Sequence, residues 1–136
     1  MTTLSSTTAT KPSDSLLRLA MRADAVLSAL AGIALMATSG PLSGFTGFPT
    51  AAEYIVGAGF VVYGIVVFAA AGLQRVRPAG IATMIANLIF TVAAVLVVVA
   101  DSGVLTTAGV VATLASGLYT LVFADLQYLG TRRIKR

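Results

Sequence analysis

Arg75-Val76-Arg77-Pro78 separates two apolar runs, residues 51–74 and 79–100, neither of which contains a Lys or Arg. A helix needs about 20 residues to cross the hydrocarbon core of a bilayer, and both runs are long enough. The tetrapeptide therefore reads as the tight turn of a helical hairpin. Pro78 takes the first position of the second helix, where its missing N–H costs nothing. The two arginines place the turn on the cytoplasmic side.

The same pattern extends outward. Lys11, Arg18 and Arg22 precede an apolar run from Ala23 to Thr38, and Arg132, Arg133, Lys135 and Arg136 follow a last run from Val104 to Gly130. All nine basic residues thus fall in three segments, while the two other connections, 39–49 and 101–103, contain none. By the positive-inside rule this predicts an all-α, four-transmembrane-helix bundle with antiparallel neighbours and both termini cytoplasmic. The predicted helices span about 16–39, 50–73, 78–100 and 104–130. A disordered Ser/Thr-rich tail is expected at 1–15, and a basic cytoplasmic tail at 131–136. A cleaved signal peptide is the rival reading of the first run; the polar lead ahead of it argues against cleavage.

Composition agrees. The 136 residues are 57% hydrophobic and 10% charged, with a mean hydropathy of +0.95, whereas soluble domains carry about 25% charged residues. Four helices leave no length for a separate soluble domain. The formal charge of +4 sits at membrane ends, where it meets anionic headgroups at the cytoplasmic face rather than nucleic acid. The chain has no Cys and no His, which excludes thiol–disulfide exchange, bis-imidazole haem ligation, the usual zinc sites and a His general base. No enzyme, cofactor or metal is expected.

Local signals set the element ends. Helix 1 is expected to start near Ser13 or Ser15, with Asp14 at the positive end of its dipole. Ser39–Pro49 reads as a compact outer loop with Phe45 and Phe48 at headgroup level. Thr50-Ala51-Ala52-Glu53 matches a capping box for helix 2, and Gly130 a C-terminal cap for helix 4.

Ionisable side chains inside spans are functional candidates, and only Asp24 and Asp125 qualify. The topology puts both at the cytoplasmic end, in one polar layer with Arg18, Arg22 and Asn87. That layer is either a proton or cation site or an Arg–Asp tie between helices 1 and 4; the tie is the default. Small and polar seams suited to close packing run through Ser28 and Gly32 on helix 1, Gly80 and Thr83 on helix 3, and Ser116 and Thr120 on helix 4. Asp125 lies off the helix 4 seam. Tyr54 and Tyr128 suit the membrane boundaries, whereas Tyr63 and Tyr119 are deeper and each hydroxyl needs a partner.

The segments Leu17-Arg18-Leu19-Ala20-Met21-Arg22-Ala23-Asp24 and Asp125-Leu126-Gln127-Tyr128-Leu129-Gly130-Thr131-Arg132-Arg133 resemble those of small four-helix, actinobacterial-like integral membrane proteins of unknown function. The resemblance implies a bacterial inner-membrane location and a joint role for the Arg22–Asp24 and Asp125–Tyr128 ends. The expected function is that of a non-enzymatic accessory or interaction subunit of a larger membrane assembly. The alternative is a small homo-oligomeric transporter or channel for protons, cations or a small solute. The partners implied are the lipid bilayer and either a membrane protein or a second copy of the chain.

Overall fold

The computed structural model describes residues 13–134. Lys11, Lys135, Arg136 and most of the expected N-terminal tail lie outside the described residues. Among the described residues the structure is helical with no strand: α1 (Ser15–Thr46), α2 (Thr50–Ala70), α3 (Arg77–Ala100) and α4 (Thr107–Arg132). All four are long and apolar enough to cross a membrane. Large apolar side chains such as Ile55, Val62, Ile65, Ile89, Leu96 and Val99 face outward. So continuous an apolar exterior suits lipid and not water.

The predicted ends need correction in several places. The first helix runs past Gly40 and Pro41 to Thr46, so the expected loop at Ser39–Pro49 shrinks to Gly47–Pro49. Pro41 deprives a carbonyl one turn earlier of its partner, yet the helix continues past it, and tertiary bonds hold its end. Thr106 N–H donates to Thr46 O at 3.0 Å, and Thr106 Oγ1 donates to Phe45 O at 2.6 Å. Gly47, at φ +88°, closes α1 in the left-handed conformation that glycine adopts without steric cost.

The capping box does not form. Helix α2 begins at Thr50 itself, behind Pro49, without a side-chain cap. Glu53 instead turns to α1, where Thr46 Oγ1 donates to its Oε1 at 2.8 Å. At the other end α2 stops at Ala70 rather than near 73, and Arg18 caps carbonyls that follow. Its guanidinium donates to Ala71 O at 2.7 Å, Leu73 O at 2.7 Å and Gln74 O at 3.1 Å, and pairs with Asp14 Oδ2 at 2.8 Å. Arginine's planar fork makes this cap from a neighbouring helix possible.

Helix α3 starts one residue early, at Arg77, which moves Pro78 to the second position. Helix α4 starts three residues late. Thr106 is its N-cap, its Oγ1 accepting from Gly109 N–H at 3.0 Å, as Thr caps commonly do. Gly130 is not a cap. It lies inside α4 against α1, where a Cβ would come within 2.7 Å of Leu17 Cα.

Small residues set the helix spacing, as is usual where lipid removes the hydrophobic drive between helices. Gly57 of α2 faces Gly32 of α1, and Gly64 faces Ala25 and Ala29. Gly80 of α3 faces Leu17, and Gly117 of α4 faces Ala94 of α3. Helix α1 is the centre of this packing, with α2 and α4 against it and α3 against α4. The α2–α3 seam is the loosest of the contacts made, and the α2 and α4 backbones stay apart. An apolar core of Leu17, Met21, Ala25, Val67, Ala71 and Val76 closes the end near Arg18.

A Cβ at Gly57 would lie 2.7 Å from Gly32 O and 3.0 Å from Leu35 Cβ, whereas one at Gly44 meets nothing within 4 Å. Gly57→Leu is expected to lose about 1–3 kcal/mol by overpacking, and Gly44→Ala to be neutral or gain up to about 1 kcal/mol. Titration of helicity with a denaturing detergent compares the two. Equal stability would remove the case for a Gly32–Gly57 crossing.

Candidate functional site

A carboxylate on an apolar helix must meet donors or stay near water. Asp24, on the inner face of α1, is completely buried, and its donors come from every helix. Tyr63 Oη of α2 donates to Oδ2 at 2.7 Å, Asn87 Nδ2 of α3 to Oδ2 at 2.9 Å, and Gln127 Nε2 of α4 to Oδ2 at 3.0 Å. Oδ1 accepts from Ser28 Oγ of α1 at 3.1 Å and from Tyr119 Oη of α4 at 3.0 Å. Asn87 Nδ2 also donates to Gln127 Oε1 at 2.9 Å, so the amides are tied to each other as well as to the acid. All five donors are neutral. Among the described residues no Lys or Arg nitrogen lies within 4.0 Å of Asp24.

Local sequence explains who arrives. Ser28 follows Asp24 by one helical turn and so lies on the same face. On α4 the buried positions Gly117, Thr120, Ala124, Gln127 and Thr131 recur at spacings of three and four, which puts Gln127 on the inner stripe. A second, smaller link extends along α3 and α4: Thr91 Oγ1 reaches Gly117 O at 3.0 Å and Thr120 Oγ1 at 2.7 Å.

The polar cluster borders a partly open cavity of about 520 Å³ lined by residues of all four helices. Leu27 and Ala31 of α1, Gly59 and Phe60 of α2, Ala86 and Phe90 of α3, and Ala115 of α4 form its apolar wall. Ser28, Tyr63, Asn87 and Tyr119, four of the five Asp24 donors, line it too. The Phe60 and Phe90 rings meet at 5.5 Å between centroids, tilted by 58°, and bridge the loose α2–α3 seam. Among the described residues no three His, Cys, Asp or Glu side chains gather as a metal site.

The expected polar layer therefore divides. Asp24 and Asn87 come together, 2.9 Å apart. Arg18 is occupied with Asp14 and the end of α2, while Arg22 and Asp125 are exposed. The expected tie between Arg and Asp is replaced by neutral hydrogen bonds. The reason is periodicity: Arg22 and Asp125 sit two residues from Asp24 and Gln127, respectively, and two residues is about 200° of helix rotation. Of the expected packing residues, Ser28 bonds to Asp24, Gly32 and Gly80 meet neighbouring helices, Thr83 and Thr120 are buried, and Ser116 lines the cavity. Thr83 Oγ1 satisfies itself on Ala79 O at 2.8 Å. Gln127 was not among the expected site residues. Continuing the Ser116, Thr120 stripe by one turn to Ala124 and on to Gln127 is the sequence signal that points to it.

Compared with known protein families, curated proteins and solved structures, the chain shows no match.

Asp24→Ala leaves five donors without their acceptor, and an expected loss of about 3 kcal/mol or more follows. Tyr119→Phe removes one of the five and should cost about 1 kcal/mol. Asp125→Asn, on the surface, should stay within about 0.5 kcal/mol. Detergent-denaturation curves rank the three, and an Asp24→Ala protein as stable as Asp125→Asn would rule out the cluster as a joint between helices.

Proposed function

We propose that this chain is a multi-pass protein of the bacterial inner membrane that binds a small, largely apolar molecule within its helices. The observation that carries this reading is the cavity of about 520 Å³, walled by apolar side chains and bordered at one place by convergent polar groups. That combination characterises small-molecule sites. Apolar cavities take up apolar guests in preference to water, and this one is partly open to its surroundings.

Orientation in this reading has both termini in the cytoplasm, supported by the nine basic residues at one end of the span pattern. Antiparallel neighbours are supported by the order of the contacts. Gly32 and Ala25 face Gly57 and Gly64, while Leu17 and Thr46 face Gly130 and Gly109, so numbers rise on one helix as they fall on the next.

The accessory-subunit role expected from the sequence needs only packing faces and leaves the cavity without a use. Proton or cation transport through Asp24 is less favoured. Both of its oxygens already accept hydrogen bonds, and drawing them away would break the joint between four helices.

Gly59 lines the cavity, and a Cβ there meets nothing within 4 Å. Gly59→Leu should fill the space without strain and improve helix propensity by about 1 kcal/mol. The test is photolabelling of the purified protein in lipid nanodiscs with a neutral phenyl-diazirine alcohol, mapped by mass spectrometry. Labels are expected on Phe60, Phe90 and Tyr119 in the native chain and reduced about tenfold in Gly59→Leu, a change of about 1.4 kcal/mol. Labelling confined to outward residues such as Ile65, or unchanged in Gly59→Leu, overturns the proposal.

A further inference from the structure

The polar groups that line the cavity have one property in common: their hydrogens are already committed inside the protein. Tyr63, Tyr119 and Ser28 each have one hydroxyl proton, and each donates to Asp24. Asn87 has two amide hydrogens, one directed to Asp24 and one to Gln127. Ser116 donates to Thr113 O at 2.7 Å, and Thr120 has Gly117 O at 2.9 Å. What these groups can still offer a guest is oxygen lone pairs, on the small polar part of an otherwise apolar lining. Such a surface receives donors and offers none.

Two further observations point the same way. The charge of Asp24 lies directly behind three of those hydroxyls and has no cationic neighbour among the described residues; in a low-dielectric interior it acts over several ångströms. Phe60, Phe90, Tyr63 and Tyr119 add aromatic surface to the same cavity, and ring faces attract cations.

Resting on the binding role proposed above, we infer that the ligand is an amphipathic amine in its ammonium form. Its N–H groups meet the oxygens of Tyr63, Tyr119 and Ser28, and its apolar body lies against Phe60 and Phe90. The ammonium supplies both the donors and the charge that the site lacks. A carboxylate or phosphate head brings acceptors to acceptors and a negative charge toward Asp24, so anionic amphipaths are rejected.

The test is competition against the same neutral photolabel at neutral pH, using phenylbutylamine, phenylbutanol and phenylbutyrate, which share an apolar body. The amine is expected to compete about tenfold more strongly than the alcohol, with the carboxylate weakest. In Asp24→Asn the advantage of the amine should fall to about twofold or less. Because that variant disturbs the joint between helices, Phe90→Leu serves as a second probe and should shrink the same advantage while the alcohol still competes. Equal competition by all three compounds, a preference for the carboxylate, or an amine preference unchanged in both variants overturns this inference and leaves cavity binding standing. Failure of every compound to compete, with the cavity residues unlabelled, overturns both.

Discussion

Removing a carboxylate from water costs several kcal/mol unless its surroundings replace the lost hydration, and Asp24 has no water-accessible surface at all. This constraint organises the chain. The replacement comes from five neutral donors on four helices, so the acid can be satisfied only when α1, α2, α3 and α4 are all in place. Apolar packing in a lipid surrounding discriminates weakly between one helix register and another, because lipid tails are as apolar as Leu. Asp24 provides the discrimination. A register shift by one residue on α4 exchanges Gln127 for a neighbour that faces elsewhere.

The close approach that brings the donors within reach depends on small residues. Gly32, Gly57 and Gly64 let α1 and α2 touch through their backbones, and Gly130 does the same for α1 and α4. Where large side chains intervene, as between α2 and α3, the helices stand off and the cavity remains. The site is thus the remainder of two requirements: a tight joint around Asp24 on one side, and bulky Phe60 and Phe90 rings on the other.

Much of this was readable in the residues themselves. Four long apolar runs announce four helices, although the connection expected at Arg75-Val76-Arg77-Pro78 lies at 71–76, and Asp24 and Asn87 stand out as polar groups in apolar surroundings. The failures share a physical origin. Gly40-Pro41, Thr50-Ala51-Ala52-Glu53 and Gly130 are local signals, and each was overruled by contacts across the bundle: Thr106 with Phe45 and Thr46, Glu53 with Thr46, and Leu17 with Gly130. Pairing Asp24 with arginine follows from charge alone. That Tyr63 and Tyr119 converge on it instead depends on interhelical register, which no single segment encodes. Tyr63 and Tyr119 were legible as hydroxyls in need of partners, but not as partners of the same acid.

The continuation of α1 through Pro41 has a consequence for the membrane itself. At 1.5 Å per residue, its 32 residues reach about 48 Å, whereas the 21 residues of α2 reach about 31 Å, close to the thickness of a hydrocarbon layer. Part of the surplus is the first two turns of α1, which carry Arg18 and Arg22. Either α1 tilts, carrying its partners with it, or its far end stands clear of the hydrocarbon as a rigid post to which the start of α4 is fastened. The surplus length of α1 is a mismatch of the kind that a bilayer accommodates by helix tilt or by a local change of thickness, at a modest cost.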